Sequence, residues 1–247
     1  AVTRTFARPD FGSLAPGGTF LEQENEFHAG NPELDPTYAI NFDLMIERFY
    51  EDVGVLSAGF FYKSISDPIF QGSSIGEFNG NSGVNYLNPQ NGDDAWLYGF
   101  EFAISKRLDF LPGLLSNMGV MANYTIMDSE MSVPGREDDP GIPRQADSLY
   151  NFTVYYDDGA FSTRFAYNFK DKYIEEHGGS KDSDSYYGKY ASLDFSASYQ
   201  VNDEIMVYAD MNNLLNEPLI YFLGEENRPL QMEFYGRRAA IGIKYNY

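Results

Sequence analysis

Apolar and polar residues alternate along most of this chain with a period of two, and the pattern is clearest at its end. There Ile241, Ile243, Tyr245 and Tyr247 are apolar, while Gly242, Lys244 and Asn246 between them are small or polar. That period puts each set on its own face of a β-strand. The same alternation runs through Tyr38, Ile40, Phe42, Leu44 and Ile46, set against Asn41, Asp43 and Glu47. After Glu51-Asp52-Val53-Gly54 it restarts with Leu56, Ala58, Phe60 and Tyr62, which predicts a hairpin with a tight turn. Later segments repeat it through Trp96 to Ile104, Met118 to Ile126, Tyr150 to Tyr156, Phe161 to Phe169, Leu193 to Tyr199 and Ile205 to Met211.

The connections alternate as well. Residues 9–36, 67–93, 133–146 and 175–188 are long and polar, and a last loop lies around 224–229. Between them fall short turns at 51–54, at Asp157-Asp158-Gly159 and at Val201-Asn202-Asp203, with a link of moderate length at 108–117. About ten antiparallel strands with short turns at one end and long loops at the other are expected of a transmembrane barrel. A soluble sandwich hides its apolar face in one core and has no reason to collect its long connections at one end. The polar face is built largely from Ser, Gly, Ala, Asn and Asp, so a wide lumen is expected, filled by water or by another domain. Trp96, Tyr98, Tyr156 and Tyr245 stand near strand ends, where interfacial aromatic girdles belong.

Composition narrows the function. The 247 residues include 20 Tyr and 20 Phe, and the formal charge is -20. That charge argues against a nucleic-acid partner, because a phosphate backbone needs basic patches. No apolar run approaches the roughly 18 residues of a transmembrane helix. Without cysteine there is neither a disulfide nor a thiolate metal site, and the isolated His28 and His177 suggest no zinc centre. Ala1 to Arg8 lacks a charged start followed by an apolar core, so a mature, processed or partial chain is expected. Asp138-Asp139 and Glu175-Glu176 are acid pairs that nothing holds at a working separation, so no catalysis is expected of them. Asp182-Ser183-Asp184-Ser185 offers alternating oxygens but not the spacing of a calcium loop, and is read as solvated loop.

Several stretches resemble, in order, the C-terminal half of a TonB-dependent outer-membrane receptor. They are Gly30-Asn31-Pro32-Glu33-Leu34-Asp35-Pro36-Thr37-Tyr38, Asn41-Phe42-Asp43-Leu44, Val53 to Lys63, Gly99-Phe100-Glu101, Asn212 to Glu217 and Tyr235-Gly236-Arg237, followed by an aromatic C-terminus. The Arg8-Pro9 step, Asn216-Glu217-Pro218-Leu219 and Arg228-Pro229-Leu230-Gln231 are similar to the subgroup linked to complex carbohydrates. The resemblance implies an all-β, antiparallel transmembrane β-barrel in the bacterial outer membrane. Residues 1–247 would form about the last ten strands of a barrel of roughly 22, with the plug domain and the TonB-binding segment absent. It further implies no enzyme activity and no cofactor. The implied partners are the missing plug and barrel half, TonB acting through that plug, outer-membrane lipid and, for the carbohydrate subgroup, a surface lipoprotein.

Function is then expected to be active uptake of a nutrient, with the barrel wall and outer loops binding it. An oligosaccharide is one candidate, and an iron chelate or a passive porin are the alternatives. By strand direction Asn41, Lys170, Lys172 and Arg238 belong to the outer lumen, and with the loop residues Tyr186 and Tyr187 they form the candidate substrate-binding set. Asp43, Asp194 and Asp210 are read as residues that wet the lumen.

Overall fold

The computed structural model of the chain describes residues 1–50 and 54–246. The tight turn expected at 51–54 therefore lies, apart from Gly54, outside the described residues. In chain order the strands are β1 (Val2–Ala7), β2 (Gly18–Leu21), β3 (Glu26–Ala29), β4 (Thr37–Tyr50), β5 (Gly54–Ser66), β6 (Ile69–Phe78), β7 (Asn81–Asn91), β8 (Asp94–Arg107) and β9 (Met118–Met131). They continue with β10 (Ser148–Asp157), β11 (Phe161–Lys170), β12 (Tyr173–Glu176), β13 (Ser185–Tyr187), β14 (Tyr190–Gln200), β15 (Ile205–Asn212), β16 (Leu219–Leu223), β17 (Pro229–Glu233) and β18 (Arg238–Tyr245).

Ten of these make one sheet in the order β1-β4-β5-β8-β9-β10-β11-β14-β15-β18. Each strand pairs antiparallel with the next, which is the meander that the alternating turns require. Register gives each face a continuous row. On the apolar face Val120, Val154, Phe165, Phe195 and Met211 stand side by side across five strands. On the polar face Asn123, Asn151, Asn168 and Ser192 do the same across four.

Apolar side chains on the sheet are open rather than buried. Ile40 is 57%, Ile46 68%, Ile241 84% and Ile243 72% exposed, so the patch is far larger than a water-soluble monomer tolerates. Among the described residues no helix is long and apolar enough to cross a membrane. A small true core sits instead where the long connections meet the sheet, with Phe70, Ala95, Met131 and Val133 packed together and Ile65 and Ile142 against them.

The polar face also explains several glycines. Tyr155 lies across Gly119, Phe61 across Gly99 and Tyr208 across Gly242, each pair directly opposite in register. A Cβ on any of these glycines would fall within 2.1–2.5 Å of the ring. Inward aromatics thus lie flat on the wall and leave the space in front of it open.

The long connections carry more structure than their composition predicts. In 67–93, β6 and β7 form a hairpin around Asn79-Gly80, whose φ angles of 49° and 85° are those of a tight primed turn. The Asn-Gly pair is the signal in the sequence that marks it. In 9–36, β2 and β3 form a second hairpin, and β3 joins β7 in parallel to make a four-stranded sheet, β2-β3-β7-β6. A third sheet, β12-β13-β16-β17, is assembled from the connections on either side of β14 and β15.

Candidate functional site

The loop end of the polar face carries two adjoining hollows of about 250 Å³ each. One is lined by Asn123, Thr125, Asn151, Asn168, Lys170 and Tyr190. The other takes in Tyr190, Ser192, Asp194, Asn212, Asn213 and Arg238, so Tyr190 is the partition they share. The amides are oriented by one another: Asn151 Nδ2 donates to Asn123 Oδ1 at 2.7 Å, and Asn168 Nδ2 to Ser192 Oγ at 3.2 Å. Asp194 accepts the backbone N–H of Asn213 at 2.8 Å, which ties the β15–β16 connection to the wall. Such a row of donors and acceptors suits a ligand rich in hydroxyls.

Of the residues put forward from sequence, Lys170 and Arg238 line these hollows. Lys172, Tyr186 and Tyr187 gather at the adjoining loop sheet. Lys170 Nζ lies 3.8 Å from the Tyr187 ring centroid and 4.6 Å from that of Tyr173, and Lys172 Nζ lies 6.0 Å from that of Tyr186. The tyrosine faces are partly taken by protein: Tyr187 stacks on Tyr173 at 5.2 Å, and Tyr186 on the buried Phe222 at 5.2 Å. Burial, aided by the negative charge of Glu175, pushes the Tyr173 hydroxyl up to about 12.

Asn41 is not part of this group. It lies on β4, separated from β11 by β5, β8, β9 and β10, and its amide reaches Thr3 and Thr5 of β1. Its half of the wall has a hollow of its own, about 300 Å³, with Asp43, Phe61, Lys63, Glu101 and Gln145 around it. Tyr190, the amide row and this second hollow were missed in the sequence because only register brings their members together.

Two loops are clamped above the wall. Arg136, with 2% of its side chain exposed, donates to Asp138 and to Asp184, whose side chain is 1% exposed. Asp184 also accepts the Gly178 N–H at 2.8 Å. The hydrogen-bonded carboxylates hold the guanidinium pKa above its ordinary value, and the same bond holds Asp138 below the usual carboxylate range. Asp184 is therefore engaged by arginine, not offered to a cation with Asp182. Of the other acids, Glu175 pairs with Arg144 at 2.7 Å.

His177 closes the clamp. Its ring is buried against Phe70, its Nε2–H donates to the Gly141 carbonyl at 2.9 Å, and its Nδ1 finds no hydrogen-bond partner among the described residues. Burial lowers the imidazole pKa, with Asp184 and Asp138 opposing that shift and Arg136 reinforcing it. Because the folded pKa lies below the unfolded one, the contribution of neutral His177 to docking 177–188 on 133–146 is expected to be present in full above about pH 6.5 and to be lost as pH falls through the lowered folded value. Hydrogen exchange in these two segments is expected to be faster at about pH 5 than at neutrality, and His177→Phe is expected to remove that dependence.

An open apolar face, a polar face with hollows and long connections gathered at one end define a segment of a transmembrane β-barrel wall. The chain belongs to the TonB-dependent receptors: the family described as TonB dependent receptor-like, beta-barrel matches residues 1–214. That family comprises β-barrel receptors of the bacterial outer membrane.

No curated protein matches the sequence. Solved structures do match in fold. A ferric enterobactin receptor mutant from Pseudomonas aeruginosa aligns over 100% of this chain and 37% of its own, with 14% identity and a TM-score of 0.65. The siderophore receptor PirA from Acinetobacter baumannii gives 17% identity and a TM-score of 0.68 over 100% of this chain and 38% of its own. The copper transporter OprC gives 15% and 0.69 over 100% and 36%. The chain therefore spans a little over a third of the length of these relatives.

Proposed function

We propose that this chain forms part of the wall of a TonB-dependent uptake path, and that the loop end of the wall from β9 to β18 contacts a polar, hydroxyl-rich solute, an oligosaccharide. The observation that carries this reading is the amide row Asn123-Asn151-Asn168-Ser192, beside Lys170 and Tyr190. Amides in register present donors and acceptors at strand spacing, and the shared Tyr190 adds a ring to the two hollows. Transport itself is assigned to the whole receptor: a plug moves when TonB pulls on it, and the wall supplies selectivity. A surface lipoprotein would hand the glycan to the loops.

A second reading has its own observation. Lys170 and Arg238 place two cations in adjoining hollows of an otherwise acidic chain, which suits an anionic ferric chelate. Growth of a deletion strain separates the two. The carbohydrate reading expects lost growth on a glycan source, restored by the native receptor and reduced severalfold with Asn151→Leu/Asn168→Leu. Loss under iron limitation alone overturns it.

A further inference from the structure

The long connection between β1 and β4 holds a side-chain cluster that solute uptake does not use. β2 and β3 pair as far as Leu21 and Glu26, so residues 22–25 make the turn between them. The Glu24 N–H donates to the Leu21 carbonyl at 3.2 Å, and Asn25 takes a φ of 55°, a left-handed conformation that asparagine tolerates. The chain thereby folds back and sets Glu24 beside Glu26 and His28, which share one face of β3 by strand alternation. One ligand atom from each of the three lies within 4.8 Å of the other two. His28 has no cysteine or second histidine near it, and the turn supplies two carboxylates in their place.

Neighbouring strands hold this cluster in position. Asn85 of β7 stands opposite Glu26 in parallel register. Its backbone N–H donates to the Asn25 carbonyl at 3.0 Å, and Asn25 Nδ2 donates to the Gly83 carbonyl at 2.9 Å. Ser73 Oγ donates to Asn85 Oδ1 at 2.8 Å, which turns Asn85 Nδ2 toward Glu26 Oε1, 3.4 Å away. One oxygen of Glu26 is thus steered by the protein while the other, Oε2, faces His28 Nε2 at 2.9 Å. Phe27 points to the opposite face and packs on Phe78 and Tyr86, with ring centroids 4.6 and 5.2 Å apart.

The Glu26–His28 contact joins two members of the cluster, so a cation entering between them replaces their shared hydrogen. Nε2 then gives its lone pair to the ion, and the neutral ring keeps its proton on Nδ1. Ligand atoms around a tetrahedral ion with bonds of about 2.0–2.1 Å stand about 3.3 Å apart, so this pair opens by only a few tenths of an ångström. Among the described residues no lysine or arginine pairs with Glu24 or Glu26, which leaves both carboxylate charges for an ion. His28 is 48% exposed, so the cluster is open to solvent. Calcium and magnesium seek sets of oxygen ligands. One imidazole nitrogen with two carboxylates is instead a zinc donor set that keeps a fourth position open.

We infer that Glu24, Glu26 and His28 bind one zinc ion at the turn of the β2–β3 hairpin, with water in the fourth position. The inference rests on the placement of the long loops outside the membrane, and not on the identity of the transported solute.

The test is zinc retention by the intact, tag-free receptor in detergent, stripped with a chelator, dialysed against zinc chloride and measured by elemental mass spectrometry. Wild type is expected to hold one zinc more per receptor than His28→Gln. Glu24→Gln and Glu26→Gln are each expected to weaken that zinc at least tenfold, whereas Glu22→Gln, in the same turn but outside the cluster, is expected to keep it. Cobalt supplied in place of zinc is expected to give a tetrahedral visible absorption band that His28→Gln lacks. Heat-modifiable migration reports barrel assembly for every variant, which separates loss of the site from loss of folding. Wild-type zinc content in assembled Glu26→Gln/His28→Gln receptor, equal loss in Glu22→Gln and His28→Gln, or displacement of the zinc by equimolar calcium overturns the proposal.

Discussion

Arginine in place of Phe165 or Phe195 is expected to cost about 2–4 kcal/mol of barrel stability, whereas arginine at the adjacent Ser196 is expected to be mild. Phe165 and Phe195 face each other across β11 and β14 with ring centroids 4.8 Å apart, in the middle of the apolar row that crosses five strands. Phe165 is 48% exposed, so in the membrane a guanidinium there would sit in hydrocarbon. Ser196 belongs to the other face, between Arg164 and Asp210 in register, where charges already meet water. Chemical unfolding of the receptor in lipid vesicles checks the contrast. Equal tolerance at the two faces would show that the apolar face does not contact lipid.

Residues 1–247 by themselves are expected not to form a stable membrane barrel. The ten-stranded sheet ends at β1 and β18, and these two strands do not pair with each other. Each leaves a row of backbone N–H and C=O groups on its free edge. In hydrocarbon an unpaired group costs several kcal/mol, so open edges of this length exclude a stable sheet in the bilayer. Rolling up into a ten-stranded barrel would crowd the wall, since Tyr155, Phe61 and Tyr208 lie flat over glycines on a face made for a wide lumen. Expressed alone, the chain is expected to stay unfolded or aggregate. Supplied with a segment carrying the remaining strands of the barrel, it is expected to acquire heat-modifiable migration. Independent folding of the isolated chain, with β1 bonded to β18, would refute this.

Local chemistry was enough for much of this protein. Alternation through Ile241, Ile243 and Tyr245, or through Phe161 to Phe169, is a property of neighbouring residues, because successive side chains of any strand point to opposite faces. The strands of the large sheet, their apolar and polar faces and the turn at Asp157-Asp158-Gly159 all followed from that and from turn preferences. Even the depth of Lys170 and Arg238 followed, since strand direction is set by which connections are long.

What the residues could not show alone was which side chains meet. The amide row depends on register, and a shift of one residue in β10 would turn Asn151 to lipid. The loop sheets join segments far apart in the chain: β3 pairs with β7, and β13 with β16, through contacts that no short window of sequence contains. For the same reason Asp184 read as a solvated acid, when Arg136 of another loop buries it. Strand direction places Asn41 and Lys170 toward the same end of the wall, and only register shows that four strands stand between theirs. Period-two alternation is dictated residue by residue, but the closing of long loops trades chain entropy against contacts among distant residues, and only the assembled structure states which of those contacts prevail.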